Sequence, residues 1–112
     1  MIDATTTLLE MAGKGYNMEI PEIILNRLGG NRFIAMTGAK NLLGGESDLS
    51  FKIGRNSKGI THVKIMLNPI AVYECEFYKV RGSSIKLISH AAAVWNELQD
   101  VFTEHTGLDT RL

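Results

Sequence analysis

The hydrophobic positions of this chain follow two periods, and the change from one to the other lays out the predicted elements. Between Asn17 and Leu28, the residues Ile20, Ile23, Ile24 and Leu28 recur at helical spacing and form one stripe. Asn17 is the expected N-cap. Pro21 is tolerated because it falls in the first turn. Gly29 and Gly30 stop the helix, since glycine takes the left-handed C-terminal conformation without steric cost. From Leu49 onward the period becomes two. Leu49, Phe51 and Ile53 alternate with Ser50 and Lys52, and Val63, Ile65 and Leu67 alternate with His62, Lys64 and Met66. Tyr73, Cys75 and Phe77 alternate with Glu74, Glu76 and Tyr78, and Ile85 and Leu87 alternate with Ser84 and Lys86. This pattern predicts four strands, each with one buried and one wetter face. Their short links, Gly54 to Ile60, Asn68 to Ala71 and Val80 to Ser83, predict an antiparallel meander.

Three further segments complete the expected layout. The run Phe33 to Thr37 is apolar on both faces and reads as a short strand, followed by a turn over Thr37 to Asn41 and a loop to Asp48. In that turn Gly38 and Asn41 are the residues expected to supply positive φ. His90 to Thr106 reads as a closing helix capped by Gly107, with Val94, Leu98, Val101, Phe102 and His105 on one face and Trp95 at its edge. Residues 1–16 read as a flexible or helical appendage in which the glycines Gly13 and Gly15 form a joint. Residues 17–112 then make a single α+β domain: a helix, a short strand, a meander of about four strands and a C-terminal helix packed on one sheet face.

Register can be read from the outward charges. Pairing Ile65 with Cys75 sets Lys64 opposite Glu76, and pairing Phe77 with Ile85 sets Glu76 opposite Lys86. Such opposite-charge rows stabilise a wet sheet face by roughly 0.2–1 kcal/mol per pair.

Composition narrows the possible roles. At 112 residues the chain suits one core, with no need of a disulfide or metal. Twelve Lys and Arg balance 12 Asp and Glu, which excludes a uniformly basic polyanion binder and an acidic nucleic-acid mimic but leaves local patches open. The single cysteine, Cys75, cannot form an internal disulfide and suits a reducing compartment. No apolar run approaches the roughly 18 residues of a membrane span, and no secretory signal is visible, so a cytoplasmic protein without membrane attachment is expected.

The candidate chemistry is sparse. Glu74 and Glu76 lie on one strand face, where pairing with lysines accounts for them better than a glycosidase-type pair across a cleft. Cys75, on the opposite face among Tyr73 and Phe77, reads as core. His62, His90 and His105 lack the spacing of a metal site, so no metal and no cofactor is expected. No nucleophile–base pair is apparent along the sequence, which argues against a hydrolase. Thr37-Gly38-Ala39-Lys40-Asn41 has the composition of an anion nest but lacks the first glycine of a P-loop.

The most informative signal is the interval from Ser50 to Lys64, which contains Lys52, Arg55, Lys58 and Lys64 and no acid. Together with Lys40 these are the candidate nucleic-acid-binding residues, acting through phosphate contacts.

The segment GGNRFIAMTGAKN, from Gly29 to Asn41, together with the basic loop and the HTGL ending at Leu108, resembles a family of small uncharacterised proteins from phages and integrated mobile elements. The resemblance covers about residues 17–112 and leaves residues 1–15 as an extra segment. It implies a genomic setting and carries no transferable activity. The expected function is a small non-enzymatic binding protein, associated with nucleic acid through its basic hairpin. The alternative is a protein-binding accessory factor, or an inhibitor of a host defence system, acting through an apolar surface.

Overall fold

Proline and paired glycines bound the first helix. The computed structural model describes residues 19–110. Within them α1 spans Ile20–Leu28, with Glu19 as N-cap and Pro21 in its first turn. The expected cap Asn17 and the appendage over residues 1–16 lie outside the described residues. Gly29 closes α1 at φ 126°, a value a side chain would strain. The stripe is confirmed at its centre: Ile24 and Leu28 are completely buried.

The next segment differs from the expected strand. Asn31–Thr37 forms a second helix, α2, with Gly30 as N-cap at φ 62° and Gly38 as C-cap at φ 70°. The apolar run FIAM is two-sided only when read as a strand. As a helix it turns Phe33 and Thr37 inward at i, i+4 spacing, both buried. The Thr37 hydroxyl donates to the Phe33 carbonyl at 2.7 Å, so its polar atom is satisfied inside the core.

Five strands follow: β1 Lys40–Gly44, β2 Asp48–Lys52, β3 His62–Leu67, β4 Tyr73–Arg81 and β5 Ser84–Ala93. They pair antiparallel in sequence order, a meander with one strand more than the alternation predicts. The added strand, β1, arises where a turn and loop are expected. Asn41 takes positive φ, 55°, at an irregularity that lets the edge strand pair again at Leu43 and Gly44. Gly44 is required by close approach, since a Cβ there would come within 2.8 Å of Pro21. The α+β class is therefore as patterned. Helices precede and follow the strands of an antiparallel sheet along the chain, and the last helix, α3 (Leu98–Thr106), packs against β4 and β5.

Register agrees with the charge reading through β3 and β4, where Ile65 pairs with Cys75 and Lys64 with Glu76. It departs at β5. Strand β4 runs on to Arg81 and turns through Gly82 and Ser83, so Phe77 pairs with Ser89 and Glu76 with His90. Lys86 lies opposite Lys79, not Glu76. A bulge at Ile88 then shifts the phase of β5 by one residue. Ile85 and Leu87, expected inside, share the outer face with Val80 and Tyr78, while Ser89, Ala91 and Ala93 face the core.

The closing helix is also shorter than expected. His90 to Ala93 belong to β5, and Val94 and Trp95 sit in a turn before α3. Trp95 is 58% exposed and is held by Arg27, whose guanidinium lies 5.1 Å from its ring centre. Phe102 does anchor α3. It meets Phe33 edge-on at 5.2 Å, and Phe33 meets Phe51 edge-on at 5.3 Å. Cys75 is buried in this core, and burial pushes its thiol up to about 12. All three helices lie on one side of the sheet and share this core. Among the described residues no helix packs on the other side, the bare face.

Candidate anion-binding end of the sheet

Antiparallel connectivity gathers the basic side chains at one end. Strand β2 ends and β3 begins there, joined by the loop over residues 53–61 that carries Arg55 and Lys58. Lys40 opens β1 opposite Lys52, which closes β2. Strand β4 reaches the same end with Lys79 and Arg81, and Lys86 of β5 lies beside Lys79. The sheet's acids collect toward the other end, at Glu46, Asp48 and Glu74. A chain of zero net charge thus carries a charge gradient along its strands.

The loop is braced by one side chain, Asn56. Asn56 Nδ2 donates to the carbonyls of Gly54, at 2.9 Å, and Ile60, at 2.7 Å. Its Oδ1 accepts the Ile60 N–H at 3.0 Å and the Lys58 N–H at 3.2 Å. One buried-side amide therefore does the work of a short sheet ladder. At the base of the loop, Gly54 N–H donates to the Thr37 carbonyl at 2.8 Å and ties it to α2. The cations on this loop are displayed from a fixed frame, so little order has to be gained on binding.

Two grooves open at this end. The first, about 330 Å3, lies between the braced loop and the end of β4 and is lined by Lys52, Arg55, Lys79 and Arg81. The second, about 540 Å3, crosses the bare sheet face from Leu43 on β1 to Ile85 on β5. Its apolar part includes Val80, and its polar part includes Lys52, His62, Lys64 and Tyr78. Lys52 belongs to both grooves, and among the described residues no carboxylate lines either one.

The residues singled out in the sequence are brought together unequally. Lys52, Arg55, Lys58 and Lys40 share the basic end. Lys64 sits one row further along, opposite Glu76, and its Nζ is 3.7 Å from Asp48 Oδ2. Its charge is partly answered within the protein, at the small value of an exposed pair. Lys79 and Arg81 were not legible as site residues, because only the β3–β4 pairing carries them across to the loop. The spacing Lys79-x-Arg81 just before Gly82 was the available signal: two cations on one strand face at a turn.

His62 and Tyr78 occupy the same row of the outer face, between Lys52 and Leu87. Burial, and then the nearby Lys52 charge, hold the His62 imidazole below its ordinary value. Burial and the adjacent Glu76 carboxylate raise the Tyr78 phenol. Thr61 Oγ1 lies 2.7 Å from His62 Nδ1 and accepts the Val80 N–H at 2.8 Å, which fixes the ring against the loop.

One pair apparent only in space joins Ser89 and His105, with Oγ 2.9 Å from Nδ1. Hydroxyl and imidazole at that distance are the first link of a nucleophile–base pair. Here the imidazole stacks flat on Phe77, 4.8 Å away, and neither residue lines the grooves above. The pair fastens α3 to β5. Among the described residues no group of three or more His, Cys, Asp or Glu is arranged to hold a metal ion. Nor is any helix among them long and apolar enough to cross a membrane.

No family model, curated protein or solved structure matches this chain.

Proposed function

We propose that this chain is a small, non-enzymatic nucleic-acid-binding protein that grips phosphates at the basic end of its sheet. The observation that carries the reading is the loop groove, in which Lys52, Arg55, Lys79 and Arg81 converge with no carboxylate between them. These residues come from two separate stretches of sequence, so no single local run accounts for their convergence. Arginine offers a planar fork to a phosphate and lysine a point charge. With only a few phosphates engaged, affinity is modest and falls as salt rises, with a slope of about 0.7 to 0.9 per contact.

The test is fluorescence anisotropy of a labelled oligonucleotide at two or more salt concentrations. Replacing Arg55 and Lys58 together by alanine lowers the salt slope by about 2, and adding Lys79→Ala and Arg81→Ala lowers it further by a similar amount. All four lie on a loop or at a strand end, so folding changes little. A wild-type protein that binds no nucleic acid at low salt overturns the reading.

A second reading rests on a different observation. Leu43, Ile85 and Leu87 stand 69%, 70% and 46% exposed on the bare face. A protein-binding accessory factor, or an inhibitor of a host defence system, would use that apolar surface. High salt separates the two readings, because it abolishes phosphate contacts and leaves an apolar interface intact.

A further inference from the structure

We infer that the groove across the bare sheet face receives the unpaired bases of a single strand whose phosphates lie on Lys52 and the loop groove. This inference rests on the phosphate-binding reading above and names its ligand class: single-stranded nucleic acid in preference to duplex. Three observations carry it.

The first is adjacency. The two grooves share Lys52, which closes β2 at the margin of the outer face, while Lys79 and Arg81 alternate with Tyr78 and Val80 along β4 and lie around the sheet end from them. The second is the difference in lining. The loop groove carries four cations together with Ile53 and Ile60, whereas the face groove carries two, Lys52 and Lys64, and sets Leu43, Val80 and Ile85 beside His62 and Tyr78. A duplex presents phosphates outward and keeps its bases stacked within, so it has nothing to place against leucine, valine and isoleucine. A single strand has phosphates along one edge and flat apolar rings along the other, which is the division these two grooves show.

The third is the row Lys52, His62, Tyr78 and Leu87, which crosses four strands at one level of the outer face. Neighbouring strands lie about 4.8 Å apart, so the row sets a cation, two planar rings and an aliphatic side chain side by side. Base stacking on aromatic side chains is tolerant of sequence because every base has a π-face. Leu43 and Ile85, the most exposed apolar residues on this face, stand on the first and last strands and bound the groove on either side. An acidic peptide would satisfy the cations but offers no plane for Tyr78 and His62.

The experiment uses the full chain and anisotropy with a labelled strand of about 12 nucleotides, a length within known single-strand site sizes. The same strand annealed to its complement and unlabelled poly-glutamate as competitor provide the controls. The single strand is expected to bind at least about tenfold tighter than the duplex. Tyr78→Ala lowers single-strand affinity roughly 5- to 150-fold, the effect of losing one stacked base. It leaves the salt slope and the duplex affinity unchanged, and Tyr78→Phe retains the affinity. Leu43→Ser, at an exposed edge position, weakens the single strand without touching the core and guards against a misfolded Tyr78→Ala. Equal affinity for strand and duplex, or a Tyr78→Ala and Leu43→Ser pair that bind like wild type, overturns this inference and leaves phosphate binding standing. Poly-glutamate that displaces the strand as well as unlabelled strand does also overturns it, since charge alone would then explain binding. Absence of binding to either nucleic acid overturns both readings.

Discussion

The two faces of the sheet are built from the same strands by opposite rules. The covered face takes Leu49, Phe51, Val63, Ile65, Cys75 and Phe77, closes on Phe33 and Phe102, and excludes water completely at its centre. The bare face mixes Lys52, Lys64, His62 and Glu76 with Leu43, Ile85 and Leu87, which stay exposed. The contrast is sharpest within β5. Before the bulge that strand gives large aliphatic residues to the bare face, and after it the small residues Ser89, Ala91 and Ala93 go to the covered face. Polarity does not explain this, but size does. The helix α3 packs against β5, and small side chains there let it approach closely. The large residues at Ile85 and Leu87 have no such packing duty, which frees them for a surface role.

The largest effect that would break this comparison lies at Phe102. It is the ring shared by α2, α3 and β2, and Phe102→Ala leaves a cavity costing about 3–5 kcal/mol, a large share of a small domain's stability. Thermal or urea unfolding measures it. Cys75 provides a second readout. Its thiol is buried and pushed up to about 12 from 9.0, so the wild type resists thiol reagents at neutral pH. In Phe102→Ala the core opens more often and labelling accelerates. An unchanged melting temperature with unchanged labelling would show that α3 is not anchored by this ring.

The covered face was the legible one. Strands β2 to β4 show in the sequence because strict alternation is forced wherever one face is buried and the other is wet. The rest was hidden for identifiable reasons. Alanines 91 to 93 favour a helix in isolation, and only pairing with Tyr73, Glu74 and Cys75 makes them strand. Lys40 to Gly44 is an edge strand with an αL residue, Asn41, and two glycines beside it, which mimics a turn. Ile88 interrupts the period that would otherwise carry Leu87 and Ile85 to the covered face with Ser89, Ala91 and Ala93. As for the site, the acid-free interval around Arg55 and Lys58 is visible locally. Lys79 and Arg81 join it only through the β3–β4 register.

The next effect compares the two ends of β5 directly. Ala93→Leu forces extra volume against a fully packed site and costs about 1–3 kcal/mol. Ile85→Ala removes a larger side chain from the same strand, yet changes stability by no more than about 0.5 kcal/mol, because water already covers it. If the two substitutions cost the same, the assignment of small residues to the α3 side and large ones to the free side is wrong.

The smallest effect, and the one that separates folding from binding on the bare face, is the response of His62 to pH. The groups around it on that face are Lys52 on β2, Tyr78 on β4 and Lys64 two residues along its own strand. Burial, and then Lys52, lower its value in the folded chain below 6.5, so the fold favours the neutral ring. Above that ordinary value the ring is neutral folded or unfolded and contributes no pH dependence. As pH falls below it, the unfolded chain takes up the proton first, and stability declines until the folded ring is protonated too. The half-exposed position keeps this decline slight. A bound polyanion reverses the balance, because its phosphates favour the imidazolium. Binding then takes up a proton and strengthens over the same interval in which the free protein weakens. His62→Gln flattens both trends while His90 and His105 remain, so the difference between wild type and variant isolates this ring. Unfolding curves and anisotropy titrations over about pH 5 to 8 would register the two opposite slopes. Affinity that responds to acid identically in wild type and His62→Gln would remove His62 from the ligand's path.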